Sequence, residues 1–247
     1  MRHVVIGTFL LLALCTAACE QPPLTTSAST TASGGHETEA PSGIEAAQQG
    51  SALVRLVNAD PGGTGVDIVW GDDTFISSVP YMGVTPYMEA PRGPAQFRLR
   101  AGGSTEDLSA VNRELLIGRH YTLLALPKDT GGTRLAIVGD SLGLLEPGEA
   151  RVRLINAATG VDDIDLFIAG TPNRILHGIN ARTVTATSFV DMEGGTVEIR
   201  SPNRPAPTLV EELTVEADRL STFIVVGSAG ALDVVQIVDR TEAPDSE

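Results

Sequence analysis

Aliphatic residues recur along much of this chain at every second position, in short runs broken by glycine and proline. In Arg151-Val152-Arg153-Leu154 the aliphatics fall on one side and the arginines on the other, the pattern of a strand with one face in a core and one in solvent. Runs of strand type also lie at 96–100, 120–126 and 134–138, and again at 196–200, 222–226 and 233–238. Turn residues separate the runs: Pro61-Gly62-Gly63, Gly102-Gly103, Gly131-Gly132, Gly194-Gly195, Pro202-Asn203 and Ser228-Ala229-Gly230. The segment 105–116, with Ser104 or Thr105 as a cap, has some helical character. Its counterpart at 209–215 reads as a strand, so both are predicted as strands. Many short strands with no sustained helical period predict an all-β fold.

The runs repeat. Ala-Leu-Val-Arg-Leu-Val-Asn-Ala over 52–59 returns as Ala-Arg-Val-Arg-Leu-Ile-Asn-Ala over 150–157, and Val66-Asp67-Ile68-Val69 is answered by Ile164-Asp165-Leu166-Phe167, both at an offset of 98. Later matches, Tyr121–Leu124 with Ser221–Ile224 and Ile137-Val138 with Ile237-Val238, sit at an offset of 100. A register that drifts so slowly is that of a duplicated domain with small loop insertions. Each copy has about the ~100 residues of a sandwich domain. The prediction is therefore two tandem immunoglobulin-like β-sandwich domains, over 51–143 and 148–240, with a disordered tail at 241–247.

Val54-Arg55, Asn58-Ala59, Pro61, Val66-Asp67 and the Gly118–Thr122 strand together resemble a bacterial family of envelope domains known only as a domain of unknown function. The resemblance covers both repeats. The second departs from it where Ala158-Thr159 replaces Asp60-Pro61 and Ser221 replaces Tyr121. It implies tandem β-sandwiches on a secreted or lipidated protein, and it brings no catalytic residues with it.

The start of the chain reads as a signal peptide over 1–18: Arg2 and His3, an apolar run from Val4 to Leu14, then small residues. That run is far short of the ~20 residues that span a bilayer. Leu14-Cys15-Thr16-Ala17-Ala18-Cys19 resembles a lipobox, which implies lipid attachment at Cys19; Thr16-Ala17-Ala18 also satisfies ordinary signal-peptidase cleavage. With Cys19 lipidated and Cys15 removed, no cysteine remains for disulfides, thiol chemistry or metal binding. Multiple acyl chains at ~0.8 kcal/mol per buried CH₂ anchor stably. Glu20, where an Asp would retain a lipoprotein in the inner membrane, points to the outer membrane. The 19–50 stretch is rich in Thr, Ser, Ala, Gly, Pro and Glu and is predicted as a disordered linker carrying a solvated His36. Thirty such residues reach roughly 30 Å.

Losing Arg2 with the leader takes the formal net charge from −14 to −15, and Lys128 is the only lysine. Such a balance opposes nucleic-acid binding.

Arg55 and Asp67, repeated as Arg153 and Asp165, read as a cross-strand ion pair on the solvent face of a hairpin, worth about 0–1 kcal/mol. Asn58 and Asn156 read as loop-bonding residues at strand ends. Gly139-Asp140-Ser141-Leu142-Gly143 spells a nucleophile elbow, yet it ends a strand and lacks the strand-to-helix context and partner histidine that a Ser141 hydrolase needs. It reads as a linker between domains. His120 and His177 occupy non-equivalent places, and Asp162-Asp163-x-Asp165 lacks the glycine and terminal glutamate of a calcium loop. No catalytic residue, metal or cofactor is therefore assigned. Trp70, Tyr81 and Tyr87 are the candidate ligand-binding residues, with Trp70 as core the competing reading. Any site belongs on the loops, notably 60–64 with 81–87. The function expected is an exported, lipid-anchored, non-catalytic envelope module: scaffold, adhesive or binder of polysaccharide or protein. The alternative is an accessory subunit of a polysaccharide-processing or export complex. Partners expected are the membrane, through the anchor, and an envelope protein or polysaccharide.

Overall fold

The computed structural model describes residues 36–37, 50–63, 65–181, 189–201 and 208–241. The predicted signal peptide, Cys19, the C-terminal tail beyond 241 and the Pro202-Asn203 turn lie outside them. The described chain is all β. Its strands are β1 (His36–Glu37), β2 (Ser51–Asn58), β3 (Val66–Trp70), β4 (Asp73–Val79), β5 (Met88–Pro91), β6 (Gly93–Ala101), β7 (Asp107–Leu115), β8 (His120–Pro127) and β9 (Thr133–Asp140). The second repeat supplies β10 (Glu149–Asn156), β11 (Asp163–Ile168), β12 (Arg174–Asn180), β13 (Phe189–Glu193), β14 (Gly195–Arg200), β15 (Thr208–Val215), β16 (Arg219–Ser228) and β17 (Ala231–Arg240). The segments at 105–116 and 209–215 are strands, as predicted.

Each repeat is a sandwich of two four-stranded sheets. In the first, β5-β2-β8-β9 faces β4-β3-β6-β7; in the second, β13-β10-β16-β17 faces β12-β11-β14-β15. The first strand of each repeat lies parallel to its penultimate one, β2 beside β8 and β10 beside β16. Phe97, Ile68, Leu56 and Leu123 belong to the first core; Phe223, Ile164, Leu154 and Val197 belong to the second.

A third core joins the two sandwiches. Val57, Ala59, Leu124, Leu126 and Val138 from repeat one meet Ile155, Ala157, Ile224, Val226 and Ile237 from repeat two. The inner sheets therefore stack back to back, and their central strands are covered on both faces. That is why β2 is buried from end to end and β8 at all but its last residue. Near-continuous apolar runs are the sequence mark of a strand covered on both sides.

Three expectations are corrected. First, β2 and β3 do not form a hairpin: β2 pairs with β5 and β8, β3 with β4 and β6. The loop between them crosses from one sheet to the other, so Arg55 and Asp67 do not face each other. Second, Thr122 pairs with Val138 while Thr222 pairs with Ile237. The equivalent of Val138 is therefore Ile237, at an offset of 99, and a match one residue further on would put every side chain on the wrong face. Third, the linker is not featureless: His36 and Glu37 add in parallel to β17, opposite Ile237 and Val238. The outer edge of β17 offers unpaired backbone groups, which a passing extended segment can satisfy.

The loop after β2 is held by its own side chains. Asn58 Oδ1 accepts from the Asp60 backbone N–H at 3.1 Å, and Asp60 Oδ1 from that of Gly62 at 3.0 Å. The Asn58 amide donates to the Val79 carbonyl at 3.0 Å. Asn156 repeats the pattern, accepting from Ala158 at 3.2 Å and donating to the Ile179 carbonyl at 3.3 Å. Both asparagines bind loop backbone, as predicted from their place at a strand end.

Candidate functional site

The arginines read as solvent-facing are the largest fully buried side chains among the described residues. They alternate with core residues along β2 and β10, but the face they occupy is the seam between the repeats. Arg55 Nη1 and Nη2 donate to Asp239 Oδ1 and Oδ2 at 2.7 and 2.8 Å, and its Nε donates to Thr122 Oγ1 at 2.8 Å. Arg153 reaches the other way: its Nη2 lies 2.6 Å from Asp140 Oδ1, an ion pair without hydrogen-bond alignment. Its Nε and Nη2 donate to Thr222 Oγ1 at 3.2 and 3.0 Å. The pairs cross the seam, each repeat lending an arginine to the other's aspartate.

Asp140 holds the centre. Its Oδ2 accepts from Thr122 Oγ1 at 2.6 Å and from the Tyr87 hydroxyl at 2.7 Å, and lies 3.7 Å from Arg55. Burial alone would push its carboxyl up; Arg153, Arg55 and the two hydroxyl bonds outweigh that and hold it at about 2. Burial would likewise lower the Arg55 pKa, but Tyr87 and the two carboxylates raise it instead. Tyr87, whose ring lies 4.4 Å from the Arg55 guanidinium carbon, is pushed well above its ordinary value, chiefly by burial. Two arginines and two aspartates make the cluster neutral overall. It is sealed from solvent, so its work is to fix how the repeats meet.

The three candidate aromatics are not brought together. Trp70 is half-buried and packs on Phe75 and Phe97 at 5.6 and 5.7 Å, against the repeat-one core. Tyr87 is buried in the ion cluster, edge-on to His120 at 4.9 Å. Tyr81 is half-buried against the inter-repeat core. Tyr121 is also committed: its hydroxyl accepts from the Leu116 backbone N–H at 3.1 Å. Ser221, in the same place in repeat two, is a buried hydroxyl without a hydrogen-bond partner among the described residues. Ser141 runs directly from β9 into a loop, where its Oγ accepts from Arg151 Nη1 at 3.1 Å. Asp165 is buried and accepts from the Gly178 backbone N–H at 2.8 Å and from Arg174 at 3.2 Å.

A concavity that none of the candidate aromatics lines opens at the seam. It has a volume of 340 Å³ and lies between the β8–β9 turn of repeat one and the loop after β10 of repeat two. Lys128, Asp129 and Arg134 contribute charge on one side, Ala158, Thr159 and Ala181 a small-residue wall on the other. Arg134 Nη2 donates to the Ala181 carbonyl at 2.7 Å. Burial lowers the pKa of this guanidinium, and Asp129 offsets part of that cost. Sequence reasoning missed the cleft because its two walls come from different repeats and no local pattern links them. The one available signal was that the sole lysine lies in a turn of an acidic protein.

No curated protein matches the chain significantly. Among solved structures, the Bacillus anthracis TIE protein is 12% identical over 72% of this chain and 34% of its own, with a TM-score of 0.24. The chain thus spans about a third of that protein. A family 26 carbohydrate-binding module of Eubacterium rectale Amy13K, solved with maltoheptaose, is 13% identical over 78% of this chain and 98% of its own, also at 0.24. A DUF3823 family protein of Bacteroides ovatus is 6% identical over 67% and 98%, at 0.21. Likenesses at such scores carry no argument about fold or function. A family model does match, in two overlapping regions, residues 52–167 and 150–247. The chain belongs to the family described as Domain of unknown function (DUF4397).

Proposed function

We propose that this protein is a non-catalytic binding module of the cell envelope, anchored by a lipid on Cys19, whose two sandwiches act as one rigid body. The observation that carries the reading is the seam. Two repeats joined by a short linker would swing independently if they met only at their ends. Here they share a buried apolar core and crossed Arg–Asp pairs, so a concavity formed jointly by both keeps its shape. Preorganised surfaces bind without the cost of ordering. The acidic charge favours a soluble domain over one lying on anionic lipid.

The reading is tested on the intact chain expressed with its leader in a bacterial host. Wild type should fractionate with membranes and Cys19→Ser should be released; a variant that stays with the membrane would remove the anchor from the proposal. Photo-cross-linking in the native envelope, which does not depend on the single lysine, should then capture a saturable glycan or protein ligand. Turnover of an ester panel abolished by Ser141→Ala would replace the binding reading with a hydrolase.

A further inference from the structure

The geometry points to an anion-binding site for a sugar-sized ligand at one end of the seam, built where the repeats have diverged; this rests on the binding-module reading above. Because the repeats are related, the seam has two equivalent ends, and residue pairing identifies which side chains correspond. Val66 pairs with Val79 and Ile164 with Ile179, and the amides of Asn58 and Asn156 donate to those same carbonyls. Two residues further on, Tyr81 in repeat one therefore corresponds to Ala181 in repeat two. Leu126 pairs with Arg134 and Val226 with Asp233, which makes Arg134 the counterpart of Asp233. Asp60 corresponds to Ala158 at the offset of 98.

The two ends have opposite character. At one, Tyr81 packs against the inter-repeat core, and burial, Asp233 and Asp60 in that order push its hydroxyl pKa up. That end is occupied by a phenol and carries two carboxylates. At the other, the phenol is replaced by Ala181 and the two acids by Ala158 and Arg134, and the 340 Å³ cleft opens. Lys128, the only lysine in the chain, stands at this end, where the other has Ser228. One set of substitutions has emptied the cleft and reversed its charge.

The ligand chemistry follows from the lining. Lys128 and Arg134 line one small space together with a single acid, Asp129, and that excess of cationic groups suits a carboxylate or phosphate oxyanion, through charge-assisted hydrogen bonds. Burial disfavours the Arg134 charge and Asp129 offsets only part of that cost; a bound anion beside the guanidinium would offset more of it. Thr130 and Thr159 also line the cleft, the Thr159 hydroxyl already donating to the Gly227 carbonyl at 3.3 Å, while Pro127 gives an apolar surface for the ring of a sugar. The volume lies at the lower end of the ~300–1,000 Å³ of small-molecule sites, room for one acidic sugar unit or a short stretch of acidic glycan.

Titration calorimetry on the intact chain in detergent tests this with four probes: a galacturonate trisaccharide, the neutral galactose trisaccharide, glucose 6-phosphate and inorganic phosphate. Binding of the galacturonate or of the sugar phosphate is expected, weakening as salt rises, with the neutral trisaccharide at least tenfold weaker. Ala181→Tyr, which copies the closed end, should abolish it while leaving the thermal midpoint near that of wild type. Lys128→Gln, a change in a surface turn, should weaken it at least tenfold without any packing change. Equal binding of the neutral sugar, or binding untouched by both variants, would overturn the site while leaving the binding-module reading intact. Inorganic phosphate competing as strongly as the acidic sugars would reduce it to an adventitious anion site, and no binding of any probe would also overturn it.

Discussion

Tyr87 and Phe189 occupy the same place in the two repeats, each beside its own arginine, and only Tyr87 reaches an aspartate across the packed face. The Phe189 ring lies 5.2 Å from the Arg153 guanidinium carbon, as the Tyr87 ring lies 4.4 Å from that of Arg55. The hydroxyl that Tyr87 adds donates to Asp140 at 2.7 Å. The duplicated frame has kept the aromatic cover on both arginines and added one polar bond to a single copy.

Tyr87→Phe makes repeat one resemble repeat two at this point. It removes a buried hydrogen bond to a carboxylate and should cost about 1.5–3 kcal/mol of stability, read from the urea midpoint at neutral pH. A loss below about 0.5 kcal/mol would mean that Thr122 and the two arginines satisfy Asp140 without Tyr87.

The crossed pairs give an asymmetric expectation. Asp239→Leu leaves Arg55 buried beside the more distant Asp140 and should destabilise by about 3–5 kcal/mol, whereas Arg55→Leu with Asp239→Leu should recover most of that loss. Chemical denaturation of the two single variants and the double variant forms the cycle. A double variant as unstable as the worse single one would show that the pair contributes through packing and not through charge.

Acid should loosen the seam in a definite window. The Asp140 carboxyl is held at about 2, below its ordinary 3.8, so the folded state binds the proton less readily than the unfolded one. The resulting stability, roughly 2 kcal/mol, is fully present above the unfolded value and is lost as pH falls toward the folded one. Thermal midpoints measured from pH 5 down to pH 2 should fall most steeply between these values, and Asp140→Asn should flatten the slope. Tyr87 acts at the other extreme: with its pKa raised above 10.0, stability should decline as pH rises past that value.

Unfolding should be a single event. Trp70 is the only tryptophan and lies against the repeat-one core, so its fluorescence reports that repeat, while far-ultraviolet circular dichroism reports both. The shared core predicts coincident transitions. Separated midpoints would show that the seam couples the repeats weakly.

Gly227 is a backbone requirement. Its φ is +92°, and a Cβ there would lie 2.3 Å from the Ala231 carbonyl oxygen. Gly227→Ala should cost about 1–3 kcal/mol in the same denaturation assay, and an unchanged midpoint would mean that the β16–β17 turn can re-form.

Much of this was legible in the chain itself. Strand positions follow from alternation and turn residues, and the duplication from Val54-Arg55 returning as Val152-Arg153. The alternation identifies which side chains share a face, but not what covers that face. Arg55 and Arg153 read as solvated because an arginine every second residue usually is. The contrary signal lay beside them: Leu53 and Val57 share the face of Arg55, and Leu124 and Leu126 share that of Thr122. The partners, Asp140 and Asp239, are beyond any local pattern, since Arg55 and Asp239 stand 184 residues apart. The seam cleft was out of reach for the same reason.

Because the repeats are joined face to face, the peptide between Asp140 and Glu149 is not what keeps them together. A protease cutting that connection would leave two fragments still clasped through Val57, Leu124, Ile155 and Ile224 and through both crossed charge pairs. On a denaturing gel the protein would look broken; under native conditions it would remain one object.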